Sequence, residues 1–144
     1  MFAIEFVGKP QIEFNELAIR GRITLGDFSE EFVAPLVFWT VDDYRKQWRE
    51  AAERILDGHD RSCFVGSMRE SLSDGAVFLW TAYRLADNVF FQHKLLLLET
   101  VKGKFQTLNP YAQVDERQTE TEEGQQISEW RVLVSDVARF QRAG

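Results

Sequence analysis

The chain has 144 residues, of which 44% are hydrophobic and 13% aromatic, and its formal net charge is −6 at pH 7. This length and composition fit a single domain, residues 1–144, with an ordinary core that needs neither disulfides nor metals. The acidic charge argues against nucleic acid as the direct partner, because phosphate binding needs a basic surface. No apolar run reaches the roughly 18 residues of a membrane helix, so we expect no membrane partner.

Alternating apolar residues predict three strands in the first quarter of the chain. Phe2 to Phe6 alternates, and the pattern over residues 17–25 is typical of a half-buried strand with one solvent-facing side. Gly26-Asp27 then turns the chain. A third strand begins at Phe28 and ends at Pro35, because proline cannot donate to a strand ladder.

One long helix is the clearest element, and it is predicted over about residues 41–57. Thr40 can cap its first turn, and the carboxylate of Asp43 can reach back to the cap. Gly58 closes the helix in the position that favours a left-handed residue. The apolar stripe of this helix consists of Val41, Tyr44, Trp48, Ala51, Ala52 and Ile55. Because strands flank the helix on both sides, we expect the stripe to cover one face of a sheet.

The second half of the chain predicts more strands and a short C-terminal helix. A short strand from Ser62 to Met68 precedes a hairpin that joins residues 76–85 to residues 89–98, and both hairpin strands have the composition of buried central strands. A last strand spans residues 127–134, and Ser135 caps the short helix. Hairpin connections dominate, so the predicted fold class is α+β, a single domain with a largely antiparallel sheet packed against the long helix.

No set of residues suggests catalysis or a cofactor. The only histidines are His59, expected in an exposed turn, and His93, which in an apolar strand is interpreted as structural. The single cysteine, Cys63, is interpreted as a small buried hydrophobe rather than a nucleophile. Asp42 and Asp43 point about 100° apart on a helix, which favours capping and surface roles over acid–base chemistry. We therefore expect a protein that is not an enzyme and that uses no metal or cofactor.

The location of the protein is predicted from two further features. A lone cysteine cannot form an internal disulfide, which favours a reducing compartment. The N-terminal residues alternate as in a strand and lack the basic and long apolar regions of a signal peptide. We therefore expect a cytoplasmic protein.

The polar segment 102–125, which we call the acidic loop, concentrates negative charge over residues 115–123, where Arg117 is the only basic residue. The acidic residues in this most highly charged part are Asp115, Glu116, Glu120, Glu122 and Glu123. One interpretation is a solvated connection, and the other is an acidic surface that docks a basic protein. In the second interpretation, Tyr111 is the expected aromatic contact, and Asp42 and Asp43 form a possible second acidic site.

Short motifs along the chain resemble those of the immunity proteins, called CdiI, of bacterial contact-dependent growth inhibition systems. They are Gly26-Asp27-Phe28, Trp39-Thr40-Val41-Asp42-Asp43-Tyr44, Gln47-Trp48, Ser67-Met68, Phe78, Trp80, Asn109-Pro110-Tyr111, Glu123-Gly124 and Ile127-Ser128-Glu129-Trp130. Their order and spacing over nearly the whole chain carry the resemblance, and no single motif is diagnostic. The resemblance implies a small cytoplasmic protein that binds and inactivates a toxin from a neighbouring cell, commonly a nuclease. It implies no particular toxin-contacting residues.

Two functional hypotheses follow. The first is an immunity protein that neutralises a cognate toxin domain, a basic nuclease, by non-covalent stoichiometric binding, with acidic side chains that steer association. The alternative is a small-ligand-binding domain whose aromatic pocket is lined by Trp80, Phe78 and Phe91. A filled core with an acidic surface favours the first hypothesis, and a large internal cavity favours the second.

Overall fold

The structure, a computed structural model, describes residues 1–68, 76–97 and 109–143. Within these residues the chain forms eight strands and two α-helices, and neither helix is long and apolar enough to cross a membrane. The strands are β1 (Phe2–Phe6), β2 (Gln11–Glu13), β3 (Glu16–Leu25), β4 (Phe28–Pro35), β5 (Arg61–Met68), β6 (Ala76–Leu85), β7 (Asn88–Leu97) and β8 (Trp130–Leu133). The helices are α1 (Val41–Leu56) and α2 (Val134–Ala143), and a short 3₁₀ helix spans Pro110–Gln113. The predicted α+β class is confirmed.

The strands form two antiparallel sheets of four strands each. In the N-terminal sheet, β4 pairs along one edge of β3, while β1 and β2 pair in succession along the other edge. The C-terminal sheet has the order β5-β6-β7-β8, so the predicted hairpin supplies its two central strands. The alternation of apolar residues identifies strands but cannot divide them between sheets, because both sheets turn an apolar face to one core.

Aromatic side chains join the two sheets. Phe2 of β1 contacts Phe64 of β5 and Phe91 of β7, with ring centroids 5.2 Å apart in both pairs. Farther along, Phe28 of β4 stacks on Trp130 of β8 at 4.3 Å. Aromatic pairs of this kind add about 0.5–1.5 kcal/mol each beyond the burial of their area. The core therefore depends on contacts between strands that are distant in the sequence.

Helix α1 begins and ends as the sequence predicts. The Thr40 hydroxyl accepts a hydrogen bond from the Asp43 N–H at 3.1 Å, and the Asp43 carboxylate accepts one from the Thr40 N–H at 2.9 Å. The predicted apolar stripe is buried except for Val41, which is half-buried. Gly58 follows the helix with a φ of +96°, a conformation that glycine adopts without steric cost.

The side chains of α1 pack against the open edge of β5, where a further strand would otherwise pair. The Oε1 atom of Gln47 accepts a hydrogen bond from the Val65 N–H, and its Nε2 atom donates to the Cys63 carbonyl, both at 2.8 Å. The indole N–H of Trp48 donates to the Val65 carbonyl at 2.8 Å. The side-chain amide of Gln47, which is only 5% exposed, thus replaces the peptide group of a missing neighbour strand.

Tyr44, one turn earlier on α1, ties the two sheets together. Its hydroxyl donates to the Pro35 carbonyl at the end of β4 at 2.8 Å, and it accepts from the Met68 N–H at the end of β5 at 3.1 Å. Burial raises the pKa of this phenol, so the hydroxyl keeps its proton and can do both. The sequence pattern predicts a helix on a sheet face, whereas these bonds place it along a sheet edge.

Strand β2 and the turn after it are absent from the prediction. Glu13 pairs with Glu16, so the turn consists only of Phe14 and Asn15, whose φ angles are +52° and +64°. Two-residue turns with both φ angles positive favour asparagine and glycine. Phenylalanine in the first position gives no such signal, which is why the sequence pattern shows no hairpin here.

The C-terminal elements differ from the prediction in their boundaries. The last strand covers only Trp130–Leu133 of the predicted range 127–134, and α2 already begins at Val134. Ser135 is therefore not the cap, and the carboxylate of Asp136 accepts from the Leu133 N–H at 2.9 Å. The predicted strand end at residue 98 and the start of the acidic loop, residues 102–108, lie outside the described residues.

Replacing Trp48 with alanine should lower the free energy of unfolding by about 3–5 kcal/mol, as for other buried aromatic residues. The ring is fully packed between Phe6 and Phe32, and the change also removes its hydrogen bond to β5. Chemical denaturation measures the loss. Arg49→Ala, at the neighbouring exposed position, serves as the control, and a Trp48→Ala midpoint near wild type would contradict this packing.

Replacing Gln47 with leucine should cost roughly 2–5 kcal/mol, although leucine is apolar and fills a similar volume. The reason is that the Val65 N–H and the Cys63 carbonyl lose their partner while still buried, and each costs about 1–3 kcal/mol. Lys46→Leu adds the same side chain to the exposed face and should change stability by less than about 0.5 kcal/mol. Equal denaturation midpoints for the two variants would show that the edge of β5 does not need the amide.

Candidate partner-binding surfaces

The described part of the acidic loop is anchored to the C-terminal sheet. The Asp115 carboxylate pairs with Lys94 of β7 at 2.9 Å, and the Glu116 carboxylate lies 3.7 Å from the guanidinium of Arg61 on β5. Both acids are exposed, so these pairs contribute little to stability. They nevertheless place a cation beside two of the five predicted contact acids.

Arg117 forms the strongest anchor of this loop. Its guanidinium donates to both carboxylate oxygens of Glu129, at 2.8 and 2.6 Å, and lies over the ring of Phe90 at 4.2 Å. The hydrogen bonds that Arg117 donates hold the pKa of the Glu129 carboxyl below its usual range. A two-point contact of this kind fixes orientation as well as distance. The loop is therefore positioned by the sheet, and the interpretation of a wholly solvated connection does not apply to this part.

The other three acids of the loop are exposed and lie in or beside a tight turn. Glu120 forms a single bridge with Gln126, and Gly124 follows Glu122 and Glu123 with a φ of +83°. Glu120, Glu122 and Glu123 form no ion pair with any described residue. Within the described part of the loop, these three side chains therefore carry the negative charge that no described cation neutralises.

Tyr111, the predicted aromatic contact, packs against α1. Gln47 donates to its hydroxyl at 3.3 Å, and the guanidinium of Arg54 lies 4.1 Å above its ring. Burial raises the pKa of this phenol to about 12. The ring is half-buried, so it holds the 3₁₀ helix of the loop on α1 and leaves only part of its surface for a partner.

The two predicted acids at the start of α1 lie on a different element from the loop. Asp42 and Asp43 are both exposed, and Asp43 also closes the capping box with Thr40. Their charge favourably faces the positive end of the helix dipole. The structure thus divides the predicted contact residues between the loop, the 3₁₀ helix and the helix start.

An open cleft between the two sheets forms a further candidate surface, with a volume of about 320 Å³. Its wall on the C-terminal sheet is a row of stacked rings. The imidazole of His93 lies between Trp80, at 4.4 Å, and Phe78, at 5.5 Å, measured between ring centroids. The predicted aromatic pocket is therefore correct for Trp80 and Phe78. It is wrong for Phe91, which is buried in the core against Phe2 and Phe64.

The opposite wall of the cleft comes from the N-terminal sheet and includes Glu30, Phe32 and Phe14. Phe32 lies flat over β3 because its cross-strand partner is Gly21, where a Cβ atom would come within 2.4 Å of the ring. Phe14 stands at the tip of the β2–β3 turn and is 82% exposed. These three residues are absent from the predicted site, although Glu30 interrupts the apolar residues at every second position of β4, which is a signal visible in the sequence.

The described residues offer little for catalysis or metal binding. Cys63 is fully buried, and burial raises the pKa of its thiol to about 12, so it remains protonated and inaccessible. Partial burial lowers the pKa of His93 and favours its neutral form, with an opposing contribution from Glu30. In the three described ranges, no group of His, Cys, Asp and Glu side chains is arranged to hold a metal ion.

Comparisons with known proteins give a consistent result. A family model described as the CdiI N-terminal domain matches residues 34–140. The immunity protein CdiI of Enterobacter cloacae is 29% identical over 140 residues, which cover 97% of this chain and 96% of that protein. A chain in the solved structure of a CdiA-CT/CdiI toxin and immunity complex from Enterobacter cloacae superposes with a TM-score of 0.90. That match has 28% identity and covers 99% of this chain and 97% of the other.

Proposed function

The chain belongs to the CdiI immunity-protein family, as the motifs in its sequence suggest, and we propose that it binds and neutralises a cognate contact-dependent growth inhibition toxin in the cytoplasm. The observation that carries this proposal is the close likeness, over nearly the whole chain, to a protein of a toxin and immunity complex. Binding is non-covalent and stoichiometric, and the protein needs no catalytic activity of its own.

The toxin partner is a nuclease with a basic surface. Nucleases must attract phosphate groups, so the surface around their active site is positive. A chain with a net charge of −6 is suited to approach such a surface and to block access of RNA or DNA. Complementary charge of this kind raises the rate of association more than it raises the final affinity.

Glu120, Glu122 and Glu123, the loop acids that pair with no described cation, supply this steering charge. Asp115 and Glu116 contribute less, because Lys94 and Arg61 already lie beside them. The remaining predicted contacts, Tyr111, Asp42 and Asp43, border this surface in the proposal. Tyr111 acts mainly by holding the loop in position against α1.

The direct test uses the cognate toxin domain, which we expect the neighbouring gene to encode. The purified chain should form a complex with it at a one-to-one ratio in native mass spectrometry, and nuclease activity should fall to background as the ratio reaches one. The immunity protein of Enterobacter cloacae, 29% identical to this chain, serves as the comparison in the same titration. Full toxin activity in the presence of a tenfold excess of the folded chain would overturn the proposal.

Changing Glu120, Glu122 and Glu123 together to glutamine should slow association with the toxin and flatten the dependence of its rate on salt. Exposed charges act over about 8 Å at physiological ionic strength, so the effect should fade as salt increases. Stability should barely change, because the three carboxylates are solvated. Surface plasmon resonance at low and high salt measures both effects.

A matched control changes three exposed acids elsewhere, Glu53→Gln, Asp57→Asn and Asp60→Asn, which shifts the net charge by the same amount. If both triple variants associate at the same rate, the loop has no special part in steering. If the loop variant matches wild type at both salt concentrations, the interface lies elsewhere.

A further inference from the structure

Glu30 occupies a position where its strand otherwise presents apolar side chains to the core. It faces Ile23 across the β3–β4 ladder, and Ile23 is completely buried. Phe28 and Phe32, two residues away on either side, point to the same face and pack against the core. A carboxylate in this row avoids a large desolvation cost only because the two sheets separate here and form the cleft.

The Glu30 carboxylate has no cationic partner among the described residues. The neighbouring acid on β4, Glu31, points to the other face and pairs with Arg22 at 3.2 Å. Glu30 faces the titratable ring of His93. Partial burial lowers the pKa of this imidazole and favours its neutral form. The cleft therefore combines the Glu30 carboxylate, which no described cation neutralises, with the stacked rings of Phe78, His93 and Trp80, and Glu16 also lines it.

Phe14 adds an exposed aromatic ring at the mouth of this cleft. Its φ of +52° is unfavourable for a bulky residue, and asparagine or glycine would fit the turn better. Large exposed aromatic residues in protein complexes often anchor the interface. A strained and solvent-exposed phenylalanine is a poor choice for stability alone, so it points to a contact made outside this chain.

From these features, and resting on the proposed function, we propose that the cleft receives an arginine side chain of the toxin. The guanidinium pairs with the Glu30 carboxylate and stacks on the aromatic wall, while Phe14 packs over the aliphatic part of the side chain. Arginine fits better than lysine, because only a planar cation can combine two-point pairing with ring stacking. A volume of about 320 Å³ is at the lower limit for small-molecule sites and suits a single inserted side chain.

This contact differs in its kinetics from the steering charge of the acidic loop. A charge pair enclosed by aromatic rings is desolvated in the complex, so its loss acts mainly on dissociation. Glu30→Gln should therefore raise the dissociation rate by about 30-fold or more, with a smaller effect on association. Glu5→Gln, an exposed acid on β1, is the matched control and should leave dissociation within about twofold of wild type.

Phe14→Asn provides a second variant in which stability and binding should change in opposite directions. Asparagine suits the positive φ, so the melting temperature should stay the same or rise, while loss of the ring should speed dissociation by about tenfold. Faster dissociation together with lower stability would indicate a merely structural role for the turn and would count against the proposal.

A double-mutant cycle with the toxin identifies the partner side chain. Each surface arginine of the toxin is replaced by glutamine and measured with wild-type and Glu30→Gln chains. For the toxin variant that lacks the partner arginine, Glu30→Gln should have little further effect on Kd. This result corresponds to a coupling of at least about tenfold in Kd between the two side chains. If wild type binds but no toxin arginine couples to Glu30, the cleft proposal fails and the proposed function stands. If wild type does not bind the toxin, the proposed function itself fails.

Discussion

The open edge of β5 is the constraint on which the rest of this structure depends. An edge strand buried beneath a helix leaves peptide groups that neither water nor another strand can satisfy, and each unpaired group costs about 1–3 kcal/mol. Gln47 and Trp48 satisfy three of these groups on Cys63 and Val65. Because side-chain hydrogen bonds of this kind require one particular depth and rotation, they fix α1 relative to the C-terminal sheet far more precisely than apolar packing alone.

The position of α1 in turn sets the relation between the two sheets. The Tyr44 hydroxyl joins the ends of β4 and β5, and the Trp48 ring contacts Phe6 and Phe32 of the N-terminal sheet. Helix α1 therefore covers the space between the sheets where β4 and β5 end. Phe2 of β1 fills the space between the sheets where it contacts Phe64 and Phe91. Elsewhere the two sheets leave an open cleft between them, which is lined by Glu30 and Phe32 on one side and by Trp80 and His93 on the other.

The negative charge of the chain falls into two physically different environments. The loop acids project into solvent, where they are screened by salt and act at a distance. Glu30 lines the same cleft as several aromatic rings, where a bound partner would displace the water around it and strengthen the interaction at close range. In the proposed complex, the loop acids would govern encounter with the toxin, and Glu30 would govern how long the complex lasts.

Local residue chemistry was enough to predict a large part of this protein. Thr40, Asp43 and the apolar stripe define α1 because capping and helical periodicity involve only neighbours in the chain. The hairpin of β6 and β7 follows from two apolar runs around a two-residue turn. The family follows from the order of the motifs. For the candidate site, the sequence showed which acids are clustered in the loop and that Phe78 and Trp80 could line a pocket.

Only the tertiary structure decided the features that depend on contacts between segments distant in the sequence. The role of Gln47 is set by the peptide groups of β5, and a polar residue beside the apolar stripe gives no sign of this from within the helix. The same holds for the division of the strands into two sheets. The burial of Phe91 and the exposure of Glu30 depend on how the faces of these two sheets pack against each other. Lys94 and Arg61 likewise reduce the charge of the acidic loop across large sequence separations. The sequence by itself therefore determined the elements and the family, and folding decided which side chains are left to meet a partner.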